Sequence, residues 1–126
     1  MTIGAAHRIL VVDDEVIVAM LIADMLEDLG CVVVGPALDL EDAMAQARNA
    51  DFDWAILDLN LEGRSTLPVA RVLRERNIPF VFASGASPEA VSAEFGYVGW
   101  LQMPFEYSAV ERLYHQAGLD VAAATA

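Results

Sequence analysis

The chain is 126 residues long and 56% hydrophobic, and it carries a formal net charge of −12. That length fits one domain with a sizeable core. The charge opposes unspecific nucleic-acid binding, which needs a basic surface, and no run of apolar residues is long enough for a membrane-crossing helix. The lone cysteine, Cys31, excludes an internal disulfide and suits a reducing compartment. All seven basic residues are arginine. The N-terminal MTIGAAHRILVVDDE lacks a basic segment followed by an apolar one, so no secretory signal is expected and a cytoplasmic location is.

Short apolar runs alternate with helical patterns along the chain. Arg8–Val12 (RILVV) predicts a strand that stops at two aspartates. Glu15–Leu29 predicts a helix ended by Gly30, and Cys31–Val34 a second strand closed by Gly35-Pro36. Leu40–Asn49 follows as a helix with Asp39 at its N-cap. Asp53–Leu57 (DWAIL) predicts a third strand, again stopped by an aspartate, and Asn60–Thr66 a polar loop. Pro68–Arg76 reads as a helix, with Pro68 tolerated in the first turn. Pro79–Ala83 (PFVFA) reads as the fourth strand, Pro88–Phe95 as a short helix, Tyr97–Leu101 as the fifth strand, and Phe105–Ala117 as a last helix before Gly118. Such alternation implies a parallel α/β sheet with helices on both faces. A single domain is expected over 1–126, with its core at about 8–119 and an Ala-rich tail at 120–126.

In open α/β sheets, ligands bind beyond the carboxyl ends of the strands, where strand order reverses. The residues there are Asp13, Asp14 and Glu15 after the first strand, Asp58 after the third, Ser84 after the fourth, and Met103-Pro104 after the fifth. Converging carboxylates repel each other unless a cation lies among them. An oxygen-only set suits Mg²⁺, which takes one or two carboxylates, water and a phosphate. A carboxylate beside such a metal can act as a nucleophile and form an aspartyl phosphate. Asp58 stands alone on the central strand and is the candidate, with Asp13 and Asp14 holding the metal. A dinucleotide-binding enzyme on this architecture is disfavoured, because VDDE stands where its Gly-rich phosphate loop would be.

The segments VVDDE (Val11–Glu15), ILDLNLEG (Ile56–Gly63), FASG (Phe82–Gly85) and MPF (Met103–Phe105) resemble the receiver domain of two-component response regulators, over roughly Arg8 to Leu119. DLNL, LPVA (Leu67–Ala70) and IPFVFASG (Ile78–Gly85) resemble single-domain receivers with a Phe-Ala-Thr-Gly motif, with Ser84 in place of the threonine. The resemblance implies a doubly wound, flavodoxin-like (βα)5 sheet of strand order 2-1-3-4-5. It implies that Asp58 accepts a phosphoryl group from a histidine kinase or a histidine phosphotransfer protein, in signalling and not in metabolic catalysis. Mg²⁺ or Mn²⁺ would be bound by Asp13, Asp14, Asp58 and the backbone carbonyl of Asn60. Ser84 would hydrogen-bond a phosphoryl oxygen, Trp100 falls at the aromatic switch position, and Pro104 keeps the usual strand-ending peptide. A monomer or weak homodimer that acts by protein contact is the expected form, and the first helix would dock on a kinase's helical bundle.

Met103 departs from the family, which has a lysine there to pair with the phosphoryl group. Methionine has neither charge nor donor. Four accounts are open: Mg²⁺ suffices alone, Arg64 reaches in with its planar fork, Gln102 donates instead, or the domain is a pseudo-receiver that binds partners without being phosphorylated. In the predicted first helix, Val16, Ile17, Val18, Met20, Leu21, Ile22, Met25, Leu26 and Leu29 exceed what one sheet-facing stripe requires, so either an exposed apolar strip or a helix buried more deeply than usual is expected.

Overall fold

The computed structural model describes residues 7–84 and 99–102. The elements are β1 (Arg8–Val12), α1 (Val16–Asp28), β2 (Val32–Ala37), α2 (Leu40–Asn49), β3 (Trp54–Asp58), β4 (Asn60–Leu61), β5 (Arg64–Ser65), α3 (Leu67–Glu75), β6 (Phe80–Ser84) and β7 (Gly99–Gln102). The expected helices Pro88–Phe95 and Phe105–Ala117, together with Met103, Pro104 and the tail, lie outside the described residues.

β1 pairs in parallel with β2 and β3, β3 with β6, and β6 with β7, which gives a sheet of order β2-β1-β3-β6-β7. Once the small hairpin strands β4 and β5 are set aside, this is the expected 2-1-3-4-5 sheet of the flavodoxin-like fold. Successive strand residues face opposite sides, and the core divides accordingly. Ile9, Val11, Trp54, Ile56, Val81 and Ala83 pack with Ala19, Ile22 and Leu26 of α1. Leu10, Val12, Ala55, Leu57 and Phe82 pack with Ala43 and Ala47 of α2 and with Val69, Ala70 and Leu73 of α3. Both faces are therefore covered, which is why the strands read as unbroken apolar runs.

Local chemistry sets the ends of the elements. α1 closes at Gly30, whose φ is +89°. At the start of α2, Asp39 accepts from the Asp42 amide at 2.8 Å. Two elements differ from the sequence expectation. β2 runs to Ala37 instead of ending at Val34, because the sheet absorbs Gly35-Pro36 as an irregularity between the pairs Leu10–Val34 and Val12–Ala37. The expected polar loop at 60–66 contains the β4–β5 hairpin, and its Leu61 and Thr66 are buried. Among the described residues, no helix is long and apolar enough to cross a membrane.

Candidate functional site

β1 and β3 are adjacent, with Val12 level with Leu57, so the residues that follow them meet at one end of the sheet. Carboxylate oxygens of Asp13, Asp14 and Asp58 lie within 4.8 Å of one another. Asp13 is buried, and its Oδ1 accepts from the Glu15 amide at 2.8 Å. Its own amide donates to the Ala37 carbonyl at 3.1 Å, so the irregular end of β2 holds the Asp13 backbone. Asp14 Oδ2 accepts from the Glu62 amide at 2.9 Å. That amide sits at the tip of the β4–β5 hairpin, where Glu62 and Gly63 both have positive φ, 51° and 82°. Two successive positive φ values make a tight two-residue hairpin turn with Gly second.

Burial pushes the Asp58 carboxyl up from 3.8 to about 7, and the charges of Asp13 and then Asp14 push it the same way. The amides of Asn60 and Leu59 lie beside the Asp58 carboxylate and act against that rise. Asp13 is also raised, first by burial and then by Asp14 and Glu15, against the hydrogen bond from Glu15. These carboxylates are crowded, half-shielded from water and short of positive charge. Such a donor set fits a hard divalent cation, which would supply the missing charge and favour the ionised forms.

The other expected site residues stand as follows. Asn60 opens β4, two residues beyond Asp58. Ser84 ends β6, adjacent to β3 in the sheet and one step past the Asp58–Ala83 pair. Trp100 lies in β7, level with Phe82. Met103 is outside the described residues. Arg64, which one account brought to the phosphoryl group, turns toward α2 in this structure. It stands opposite Leu61, so the two side chains share a face of the hairpin, and Leu61 is buried in the α2–α3 core. The Arg64 guanidinium pairs with Glu41 on α2. Sequence reasoning missed the Glu62 amide and Thr66. The Glu62-Gly63 pair between Leu61 and Arg64 was a hairpin signal for the first. No local signal marked the second.

The fold and the acidic cluster define an α/β domain with three carboxylates converging at its strand-order reversal, a set suited to a hard divalent cation. Residues 9–121 match the response regulator receiver domain model, and the chain belongs to that family. It is 37% identical to SdrG from Sphingomonas melonis Fr1, whose solution structure superposes with a TM-score of 0.79 and covers 90% of this chain and 97% of that one. The solution structure of SdrG in its BeF3-activated conformation is 41% identical, with a TM-score of 0.74 and coverage of 91% and 98%. The transcriptional regulatory protein PdtaR of Mycobacterium tuberculosis is 28% identical over 106 residues, 81% of this chain. The chain spans about half, 52%, of that relative's length.

Proposed function

We propose that the domain is a stand-alone receiver, of the single-domain kind with a Phe-Ala-Ser-Gly motif, that takes a phosphoryl group on Asp58 in a phosphorelay. The observation that carries this is the convergence of Asp13, Asp14 and Asp58 within 4.8 Å at the end of the sheet. In the transfer, an Asp58 carboxylate oxygen attacks phosphorus. The P–N bond to the donor histidine breaks, and the imidazole keeps the electron pair and takes a proton. Phosphoryl transfer depends mainly on positioning and electrostatics. Asp13, Asp14, Asp58 and the Asn60 carbonyl are the residues that would hold Mg²⁺, which would supply positive charge to the transferring group. The Ser84 hydroxyl would hydrogen-bond a phosphoryl oxygen, and Trp100 occupies the aromatic switch position. A BeF3-activated form of a protein 41% identical to this one is in keeping with the reading, since BeF3 mimics a phosphoryl group.

The donor would be a histidine kinase or a histidine phosphotransfer protein. Val16, Ile17, Met20 and Leu21 form an exposed apolar strip on α1, beside Asp13 and Asp14, with Ile17 84% exposed. This strip is the surface such a donor's helices would cover. Met103 supports a second reading, a pseudo-receiver that binds partners without being phosphorylated, because the residue that would neutralise the phosphoryl charge is absent. A time course with acetyl phosphate and Mg²⁺ separates the two. Wild type should gain one phosphoryl group, Asp58→Asn none, and Met103→Lys should gain it roughly a hundredfold faster, on the scale of one charge-stabilising group. A wild-type chain that stays unmodified after prolonged incubation establishes the pseudo-receiver.

A further inference from the structure

Thr66 is the N-cap residue of α3, yet its side chain makes no capping hydrogen bond. The Ser65 hydroxyl next to it serves the Leu67 amide at 3.1 Å. Thr66 is 0% exposed, and its hydroxyl points back at β3. The Thr66 Oγ1 lies 2.6 Å from the Asp58 carbonyl and 3.0 Å from the Leu59 carbonyl. One hydroxyl proton serves the nearer oxygen best, and the Thr66 amide donates to the Leu59 carbonyl at 3.0 Å. Thr66 thus places two donors on two successive carbonyls.

Those carbonyls belong to the two peptide groups that hold the nucleophile. The Asp58 carbonyl shares a peptide with the Leu59 N–H, and the Leu59 carbonyl shares one with the Asn60 N–H. Both N–H groups lie beside the Asp58 carboxylate and favour its ionised form. A hydrogen bond accepted at a peptide C=O polarises that peptide and strengthens the bond its N–H donates. We propose that Thr66 is a positioning residue for the phospho-acceptor, whose hydroxyl and amide polarise and fix the two peptides that orient the Asp58 carboxylate. The role rests on Asp58 being the acceptor. The packing explanation, that a buried threonine only fills space, accounts for its burial but not for an N-cap hydroxyl turned away from its helix toward both carbonyls.

The test compares Thr66→Val, Thr66→Ser and Thr66→Cys with wild type. Amide proton shifts of Leu59 and Asn60 are measured without metal, and phosphorylation rates with acetyl phosphate and Mg²⁺. Valine keeps the shape and removes the hydroxyl, serine keeps the hydroxyl, and cysteine offers a weak donor. Thr66→Val should move the Leu59 amide proton upfield and slow phosphorylation about three- to tenfold, the effect of one hydrogen bond. Thr66→Ser should restore both, and Thr66→Cys should fall between. Unshifted amides in Thr66→Val, or a Thr66→Ser variant as slow as it, overturn the proposal. If Thr66→Val does not fold, a Thr66→Cys variant matching Thr66→Ser in both readings overturns it. If wild type takes up no phosphoryl group, the acceptor reading falls by that result, and the amide shifts still decide whether Thr66 polarises the two peptides.

Discussion

At the residue scale, the dominant fact is the charge on Asp58. Its carboxyl is raised from 3.8 to about 7 in the folded protein. Between those values the folded state binds the proton more tightly than the unfolded state, so this group's contribution to stability falls as pH rises toward 7 and is regained on acidification. Ordinary carboxylates hardly titrate between pH 6 and 8, so Asp58, with Asp13 raised beside it, dominates the carboxylate contribution in that window. In EDTA, wild type should melt at a higher temperature at pH 6 than at pH 8, and Asp58→Asn should lose most of the difference. Mg²⁺ should shrink the difference toward zero. It competes with the proton for the same oxygens, so its stabilising shift should be larger at pH 8. Equal Mg²⁺-induced shifts at the two pH values would show that the cation does not meet the Asp58 carboxylate.

At the element scale, the site depends on backbone features well outside it. Gly35 has φ +89°, and a Cβ built there would lie 2.7 Å from the Ala37 amide nitrogen. Ala37 also supplies the carbonyl that holds the Asp13 amide. Gly35→Ala should therefore lower stability by about 1–3 kcal/mol, through backbone strain, and weaken Mg²⁺ binding as well. Denaturant midpoints and calorimetric titration read the two effects. Arg76, at the end of α3, donates to the Ala47 and Ala50 carbonyls at 2.6 and 3.1 Å and lies 5.4 Å from the Phe52 ring centre. It satisfies carbonyls left open where α2 ends. Arg76→Ala should cost about 1–2 kcal/mol in urea unfolding while leaving phosphoryl uptake unchanged. These dependencies also mark the limit of what could be read from the sequence. The strands ILVV and FVFA and the aspartates that follow strands declare themselves, because double burial and strand-end carboxylates leave local patterns. The extension of β2 through Gly35-Pro36 and the inward Thr66 do not, because each is decided by a partner on another element, whereas the hairpin at 60–65 left a local signal in Glu62-Gly63. Arg64 illustrates the same limit. Its position after Asp58 allowed a reach into the site, but hairpin register and Glu41 turn it toward α2.

At the scale of the whole molecule, the sheet gathers its carboxylates at one end, and α1 presents an apolar strip beside them. The chain's net charge is −12, and the last turn of α1 carries no basic residue. Val16, Ile17, Met20 and Leu21 stay exposed, while Ala19, Ile22 and Leu26 on the opposite side of the helix fill the core. The strip therefore contributes little to folding and can be altered without opening a cavity. A small phosphodonor needs only the pocket, whereas a phosphohistidine protein must also cover the helix next to it. Ile17→Ser combined with Met20→Ser should leave the acetyl phosphate rate and the melting temperature nearly unchanged. The same pair should slow transfer from a phosphorylated histidine phosphotransfer protein by roughly tenfold or more, since burying two such side chains is worth about 1.5–3 kcal/mol each when complete. The acidic surroundings add an electrostatic component that salt will screen, so raising ionic strength should alter the protein-donor rate. If the double variant slows both donors equally, the strip acts through the fold, and α1 is not the docking face.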